Sequence, residues 1–479
     1  MSLGTTFGTE LLVELDRSSR RPLRSQLEDG LREAVRSGRL PADGRLPASR
    51  SLAADLGISR RLVVDAYAQL LAEGYLVARA GSGTFVAGAP AAPPAPIAAQ
   101  PGRRPAFDFF PGYPDLAGFP RRAWLKVLRE TLRDAPDQAF GYPDPRGAPE
   151  LRHALAGHLG RVRGVVADPE SIVICSGAAQ AFALLARTLA CSRMAVEDPG
   201  LPAHRRILEA HGADLVALAL DEDGARVEEL AVMDHDGEIG SVLLTPAHQA
   251  PTGVVLSTAR RAALLAWAGE RERVVIEDDY DAEYRYDRAP LGAMQGLAPD
   301  RVIYTGTVSK TLAPALRLGW LVLPSRLIGP LVEQKLLADH GSPTIDQLAL
   351  ARLLESGAYD RHLRAARRRY RARRDALVSA VAEHLPGARV TGLAAGLHAL
   401  VRLDRPVDGR ELMRAAAAES VGVYPLGLSY MRPRQKDDGL VLGYANLAEP
   451  AIEEGVRRLA RALSAAGPAP TKEGGAIAR

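Results

Sequence analysis

The fold of this chain turns on residues 302–320, VIYTGTVSKTLAPALRLGW. Val302 to Thr305 is an apolar, β-branched run with the look of a buried strand. Behind it stands a lysine flanked by hydroxyls, with an arginine seven residues further on. A primary amine among hydroxyl and guanidinium donors suits an aldehyde cofactor that carries a phosphate. Lys310 would form the Schiff base, while Thr307, Ser309 and Arg317 would hold the phosphate. A Ser-Lys pair alone carries little information; the whole string carries much more.

Working outward, similar strand runs occur at Ser171 to Cys175, Arg193 to Val196, Asp214 to Ala219, Ser241 to Thr245 and Val274 to Ile276. They alternate with helical periods, which predicts a three-layer α/β domain with ligand groups on the loops at strand ends. Glu277-Asp278-Asp279-Tyr280 directly follows one such strand. A carboxylate there can pair with a pyridinium nitrogen and keep it protonated, and Tyr280 can hydrogen-bond a phenolic oxygen. Acidic strand ends also serve as metal sites or caps. Ser176-Gly177-Ala178-Ala179-Gln180 is a strand-to-helix turn whose N–H groups could bind phosphate, although ordinary helix capping explains it equally well. The loop Thr245 to Gly253 (TPAHQAPTG) could face the ring.

The first ninety residues differ in kind. Leu23, Leu27, Leu31 and Val35 form one apolar stripe of a helix. Ser49 to Asp55 is a second, short helix, and Gly57 makes the turn. Ser59 caps a third helix, Arg60 to Glu73, with Val63, Ala66, Tyr67, Leu70 and Leu71 inward. Two short strands around Gly81-Ser82-Gly83 follow as a wing. Such a helix-turn-helix with a wing lays its third helix in the major groove of double-stranded DNA. Arg50, Ser59, Arg60, Arg61 and the wing at Gly81 are then the contact residues. From composition alone, a small helical domain for protein contacts is equally compatible.

A Pro/Ala-rich stretch, residues 88–105, separates the two parts and reads as a semi-extended linker. The division is therefore 10–87, a winged helix; 88–105, the linker; 106–464, the α/β domain; and 465–479, a disordered tail. At 479 residues with 25% charged side chains and a formal charge of +4, the chain is a soluble multi-domain protein. The N-terminus has no signal-peptide pattern, and no stretch suits a membrane span. Cys175 and Cys191 lack metal-ligand spacing, so buried reduced thiols in a cytoplasmic protein are expected, with no metal.

GRLPADGRLPASRSLAADLGISRRLVVDAYAQLLAEGYL and GSGTFV, residues 38–76 and 81–86, resemble the GntR-type winged helix. Many relatives have Asn-Thr at Arg61-Leu62, a departure that bears on base preference and not on the fold. The four loops of the large domain, in this order, resemble the fold-type I aminotransferases from about Phe107 to Leu463. That resemblance implies pyridoxal 5′-phosphate as cofactor, Lys310 as the covalent lysine and Asp278 as the pyridinium partner, with Asp279 less favoured. It further implies that Tyr280 meets the phenolic oxygen, and that Arg317, Thr307, Ser309 and the Ala178 and Ala179 amides hold the phosphate. Tyr142, in Gly141 to Gly147, resembles the tyrosine that reaches the neighbouring subunit's phosphate, which implies a homodimer.

Together the halves resemble the MocR subfamily of GntR transcription regulators. Two departures from the aminotransferase pattern bear on function. Leu201 stands after Glu197-Asp198-Pro199-Gly200, where the family usually stacks an aromatic on the ring. The arginine that clamps a substrate carboxylate in aminotransferases falls at Val441, leaving Arg432, Arg434 or Arg205 to replace it. The resemblance thus implies a regulator and not an enzyme. It would sense pyridoxal phosphate itself and control vitamin B6 synthesis, or sense an amino compound such as GABA. The alternative is an aminotransferase with an accessory DNA-binding domain.

Overall fold

The computed structural model describes residues 14–87, 105–189, 193–234, 237–281, 283–286, 291–392 and 395–466. Residues 88–104 of the linker, 467–479 of the tail and Cys191 lie outside them. The chain divides into two compact units, Met1–Gly102 and Arg103–Arg479.

In the first unit, helix α1 (Leu23–Arg36) packs Leu27, Leu31, Ala34 and Val35 inward. Helix α2 (Ser49–Leu56) buries Leu52 and Ala53, and ends on Gly57 in the left-handed conformation, φ 61°. An L-side chain resists that conformation, and the chain there must reverse within three residues to start α3 (Arg60–Ala72). The guanidinium of Arg17 donates to the carbonyls of Leu56 and Gly57, closing the exposed end of α2. Strands β1 (Leu76–Arg79) and β2 (Gly83–Val86) pair antiparallel with Leu76 opposite Val86. Leu76 and Val86 join Val63, Ala66, Tyr67 and Leu70 of α3 in one core. Leu23 and Leu71, expected inside, are only half-buried.

The second unit is built on β3 (Ile172–Cys175), β4 (Arg193–Asp198), β5 (Leu215–Asp221), β6 (Ile239–Leu244), β7 (Val274–Asp279), β8 (Val302–Thr307) and β9 (Gly319–Val322). Their order across the sheet is β3-β9-β8-β7-β6-β4-β5, with the two-residue strand Gly224–Ala225 at the edge. The neighbours run parallel except β9, which is antiparallel to both β3 and β8, and the edge strand Gly224–Ala225, which is antiparallel to β5. Val173 and Cys175 enter one core, while Ile172 and Ile174 enter another on the opposite face. Val274 and Ile276 likewise part company with Val275. A strand whose two faces are both covered shows this two-residue alternation with no polar face.

β9 is not among the strands expected from the sequence, where GWLV simply continues the Arg317 motif. A second sheet is also absent from that expectation. It is four-stranded and antiparallel, with Arg389–Thr391, β10 (His398–Asp408), β11 (Lys436–Gly443) and Tyr424–Pro425 in that order. Glu449–Ala466 is helical, so Ala465 and Ala466 belong to the domain and not to the tail. No helix among the described residues is long and apolar enough to cross a membrane.

Candidate functional site

Parallel strands direct their carboxyl ends to one edge of the sheet, and the loops there form a crevice. Asp278 is the last residue but one of β7, on the same face as Val274 and Ile276. It is 3% exposed. Thr305, its register partner on β8, donates its hydroxyl to Oδ1 at 2.8 Å. Oδ2 is buried without a hydrogen-bond partner. Burial, with Asp279 and Asp281 adding like charge, pushes this carboxyl up to about 7. Beside it runs a cleft lined by Leu201, His204, Arg205, Thr245 and Ala250.

Asp279, one residue on, points to the other face. There it pairs with Nε of Arg163 at 2.7 Å and accepts from the Tyr304 hydroxyl at 2.7 Å. Tyr280 is buried, with its hydroxyl 3.2 Å from the His248 carbonyl. Burial first, then the charges of Asp281, Asp278 and Glu197, hold the phenol well above its usual value, so it keeps its proton.

Lys310 follows β8 and donates through Nζ to the Gly112 carbonyl at 2.8 Å. Burial lowers its ammonium, against the pull of Asp281 and Asp278. An amine so placed is a better nucleophile than a surface lysine. The Thr307 hydroxyl lies 2.9 Å from that of Ser309. Gly177 leads into the helix α4 (Ala178–Thr188) with φ 80° and no side-chain cap. The amides of Ala178 and Ala179 therefore open a helix whose positive end has no side-chain acceptor at its N-cap. Arg317 donates to the Ser176 carbonyl. A Cβ on Gly177 would stand 3.0–3.1 Å from its guanidinium. Thr307, Ser309, Arg317 and the start of α4 thus come together from 140 residues of sequence. Tyr142 does not join them: it is 94% exposed, with His340 as its ring neighbour at 6.4 Å.

A pyridine ring with a phosphate arm fits these residues. The orphaned Oδ2 of Asp278 matches a ring N–H, and the cluster at Gly177 offers donors with a cation. Among the described residues, no three His, Cys, Asp or Glu side chains are grouped to hold a metal. Val441, which the aminotransferase resemblance set against the carboxylate clamp, is 2% exposed, between Leu400 and Tyr424. Of the candidate replacements, Arg432 and Arg434 are exposed, and Arg434 lies over the Tyr430 ring. Arg205 is buried and donates to the Ser429 carbonyl at 2.8 Å, with Nη1 unpartnered.

Four residues near the crevice escaped sequence reasoning. His204 packs on Phe182 with its Nδ1 3.8 Å from Asp278 Oδ2. Burial pushes its imidazole down to about 3, so it stays neutral. His248, Asp281 and His398 form a second buried group. The histidine in TPAHQAPTG and the aspartate after Tyr280 were available signals, but nothing in the sequence joined them.

In the first unit, the Ser59 side chain accepts from the Leu62 amide at 3.3 Å and starts α3. Arg60 and Arg61 occupy its first turn, exposed, and no acidic residue accompanies them. Two cations at the positive end of a helix are locally unfavourable, a conflict that a phosphate or base acceptor relieves. Arg50 is exposed in the first turn of α2. Gly81 turns the wing with φ 71° and nothing within 4 Å of a Cβ. Arg45 was missed: it bridges to Phe85 and lies beside Gly83.

Residues 23–86 match the family model described as bacterial regulatory proteins, gntR family. Residues 112–459 match that of aminotransferase class I and II. The probable rhizopine catabolism regulatory protein MocR of Rhizobium meliloti is 34% identical, across 95% of this chain and 96% of that one. The pyridoxine biosynthesis transcriptional regulator PdxR of Corynebacterium glutamicum is also 34% identical, across 92% and 96%. Among solved structures, the multiple substrate aminotransferase of Thermococcus profundus superposes with a TM-score of 0.70 at 29% identity. That match covers 75% of this chain and 91% of the other.

Proposed function

This chain belongs to the MocR subfamily of GntR regulators, a winged helix joined to a class I and II aminotransferase domain, and we propose that it is a transcription regulator that senses pyridoxal 5′-phosphate. The observation that carries the reading is the buried, unpartnered Oδ2 of Asp278 in the crevice that also holds Lys310. An unpaired buried carboxylate is costly, and a bound cation offsets that cost.

Asp278 would hold the ring nitrogen and Tyr280 the phenolic oxygen, while Lys310 holds the aldehyde carbon covalently. Arg317, Thr307, Ser309 and the Ala178 and Ala179 amides would hold the phosphate. When bound, the cofactor supplies an electrophilic carbon on an electron-withdrawing ring. Tyr142, exposed on its own chain, would reach the phosphate of a second copy, which makes the functional unit a homodimer in the cytoplasm. Arg50, Ser59, Arg60, Arg61 and the wing at Gly81 would contact double-stranded DNA.

Val441 argues for sensing over transamination. With an apolar residue in the clamp position, an amino acid has no fixed charge there to orient it over the ring, and orientation is most of what the protein adds. A second effector class, an amino compound, is favoured by one observation: the buried, unpartnered Nη1 of Arg205. Selection of bound genomic fragments by the full-length protein, with and without pyridoxal phosphate, tests the proposal. Enrichment of defined sites that changes with the cofactor is expected. Identical, unselective binding in both arms would refute it, and sustained turnover of an amino donor with an oxo-acid would replace it with an enzyme.

A further inference from the structure

His248 sits in the loop after β6 and Asp281 two residues beyond β7, both almost fully buried. Nδ1 of His248 lies 3.0 Å and 3.3 Å from the two carboxylate oxygens of Asp281, and 3.2 Å from the Tyr280 hydroxyl. A carboxylate only accepts, so the Nδ1 that faces it carries the proton. A protonated Nδ1 cannot accept from the Tyr280 hydroxyl 3.2 Å away and can only share its proton with that oxygen, so Tyr280 keeps its own proton for donation elsewhere. In the empty site that proton can go to the His248 carbonyl at 3.2 Å or to the Asp281 carboxylate, with which Tyr280 also hydrogen-bonds, and the phenolic oxygen of a bound ring is a third acceptor.

The pair is enclosed from a third direction. Gly396 has φ +84°, and a Cβ there would fall 2.2 Å from His248 Cε1 and 2.5 Å from Asp281 Oδ2. The Tyr286 and Tyr444 hydroxyls donate to the Gly396 carbonyl at 2.6 Å and 2.9 Å, pinning the glycine in place. The His398 ring packs 5.1 Å from that of His248. Burial pushes His398 down to about 3, so it adds no charge. Burial also presses the His248 imidazole down and Arg285 repels its cation, yet the Asp281 carboxylate outweighs both and holds it above its ordinary value. Neither His248 nor Asp281 is among the residues that would touch the cofactor directly.

We propose that His248 and Asp281 are a positioning pair that acts through Tyr280, presetting its hydroxyl as a donor to the ring's phenolic oxygen. This rests on the cofactor reading above. A donor to that oxygen favours the form of the loaded site in which the proton shared with the Lys310 nitrogen has left. Loss of the donor therefore raises the pH at which the visible absorbance changes.

The test is a pH titration of the visible spectrum of the full-length protein loaded with pyridoxal phosphate. His248→Asn is expected to move the midpoint upward by about one pH unit, a tenfold change in proton affinity. Tyr280→Phe should move it the same way, and the double variant no further than Tyr280→Phe alone, because contacting residues that act through one another are not additive. Asp281→Asn, close to isosteric, should shift the midpoint in the same direction and keeps the test alive if His248→Asn does not fold. If neither folds, the downfield Nδ1 proton resonance of the wild type decides: movement on loading supports the pair, and no movement overturns it. Midpoints of both variants equal to wild type, with Tyr280→Phe shifted, would overturn it, as would shifts that add in the double variant. A wild type that stays colourless with pyridoxal phosphate overturns the cofactor reading and this proposal with it. A coloured wild type with unshifted variants ends this proposal alone.

Discussion

Asp278→Asn should act with opposite sign on the empty and the loaded protein. In the empty crevice, the carboxyl is pushed from 3.8 up to about 7 by burial and by Asp279 and Asp281. A raised acid binds its proton more tightly folded than unfolded. Its contribution is therefore fully present below pH 4 and is lost as pH rises towards 7. At pH 8 the carboxylate is a net cost, bounded at about 4 kcal/mol by roughly 1.4 kcal/mol for each unit of pKa. Asparagine removes the charge but brings amide protons whose burial takes back roughly 1–3 kcal/mol. The cofactor-free variant should then be up to about 1–3 kcal/mol more stable than wild type at pH 8, and about 1–3 kcal/mol less stable near pH 4, where the wild-type carboxyl is protonated and only the amide cost remains.

Loaded, the balance reverses. A charge-assisted hydrogen bond to the ring nitrogen is worth roughly 1.5–3 kcal/mol, so the variant should bind pyridoxal phosphate about 10- to 150-fold more weakly. Urea unfolding across pH 4–8 reads the first effect, and absorbance titration with the cofactor reads the second. A variant destabilised at pH 8 when empty, or one that binds the cofactor as tightly as wild type, would refute the reasoning.

Arg50→Ala and Arg60→Ala should each weaken specific DNA binding by about 1–3 kcal/mol if they reach bases, or reduce the salt slope by about one if they reach phosphates. The visible spectrum should be unaffected; unchanged affinity and slope in both would place recognition elsewhere. Gly177→Ala forces an L-residue to φ 80° and presses a Cβ on Arg317, so roughly 1–3 kcal/mol of stability and at least about tenfold in cofactor affinity should be lost. Equilibrium unfolding and dialysis check both. Arg163→Met strands the buried Asp279 and should cost about 3–5 kcal/mol in urea unfolding; a loss below about 1 kcal/mol would mean that the Arg163–Asp279 pair contributes little to the fold. Ser59→Ala should cost about 1 kcal/mol through the lost cap of α3, read by thermal melting of the first unit's transition.

The large sheet was legible because its strands are buried on both faces and read as continuous apolar runs bounded by turns. β9 was not, because four residues, GWLV, follow directly on the motif arginine and mark no separate period. The second sheet hid for another reason. β10 carries Arg402, Asp404 and Arg405 in the half that leaves the core, so its apolar signal stops midway. Lys310, Asp278, Tyr280 and Arg317 stood out because each lies in a local string. The His248–Asp281 contact spans 33 residues and closes only when two parallel strands lie side by side, which no spacing rule encodes. His204 belongs to the same class: its relation to Asp278 exists only across the sheet.

The paired aspartates mark where sequence and structure divide the work. Adjacent residues on a strand point to opposite faces, so Asp278 and Asp279 cannot share a role whatever motif they sit in. Asp279 meets the buried Arg163 and the Tyr304 hydroxyl, a partnership that leaves it no charge to offer a ligand. Asp278 has one hydroxyl donor and a neutral imidazole nearby, and its second oxygen is unpaired. Had both carboxylates been structural, the chain would have supplied both with cations. Only one received an arginine. The other is kept at a cost to the empty protein, and a ligand that arrives with its own N–H, aromatic ring and phosphate is the partner that its surroundings accommodate. Sensing follows from that same cost. A site more comfortable loaded than empty ties the stability of the large domain to the concentration of its ligand, and this coupling exists whether or not any reaction is completed there.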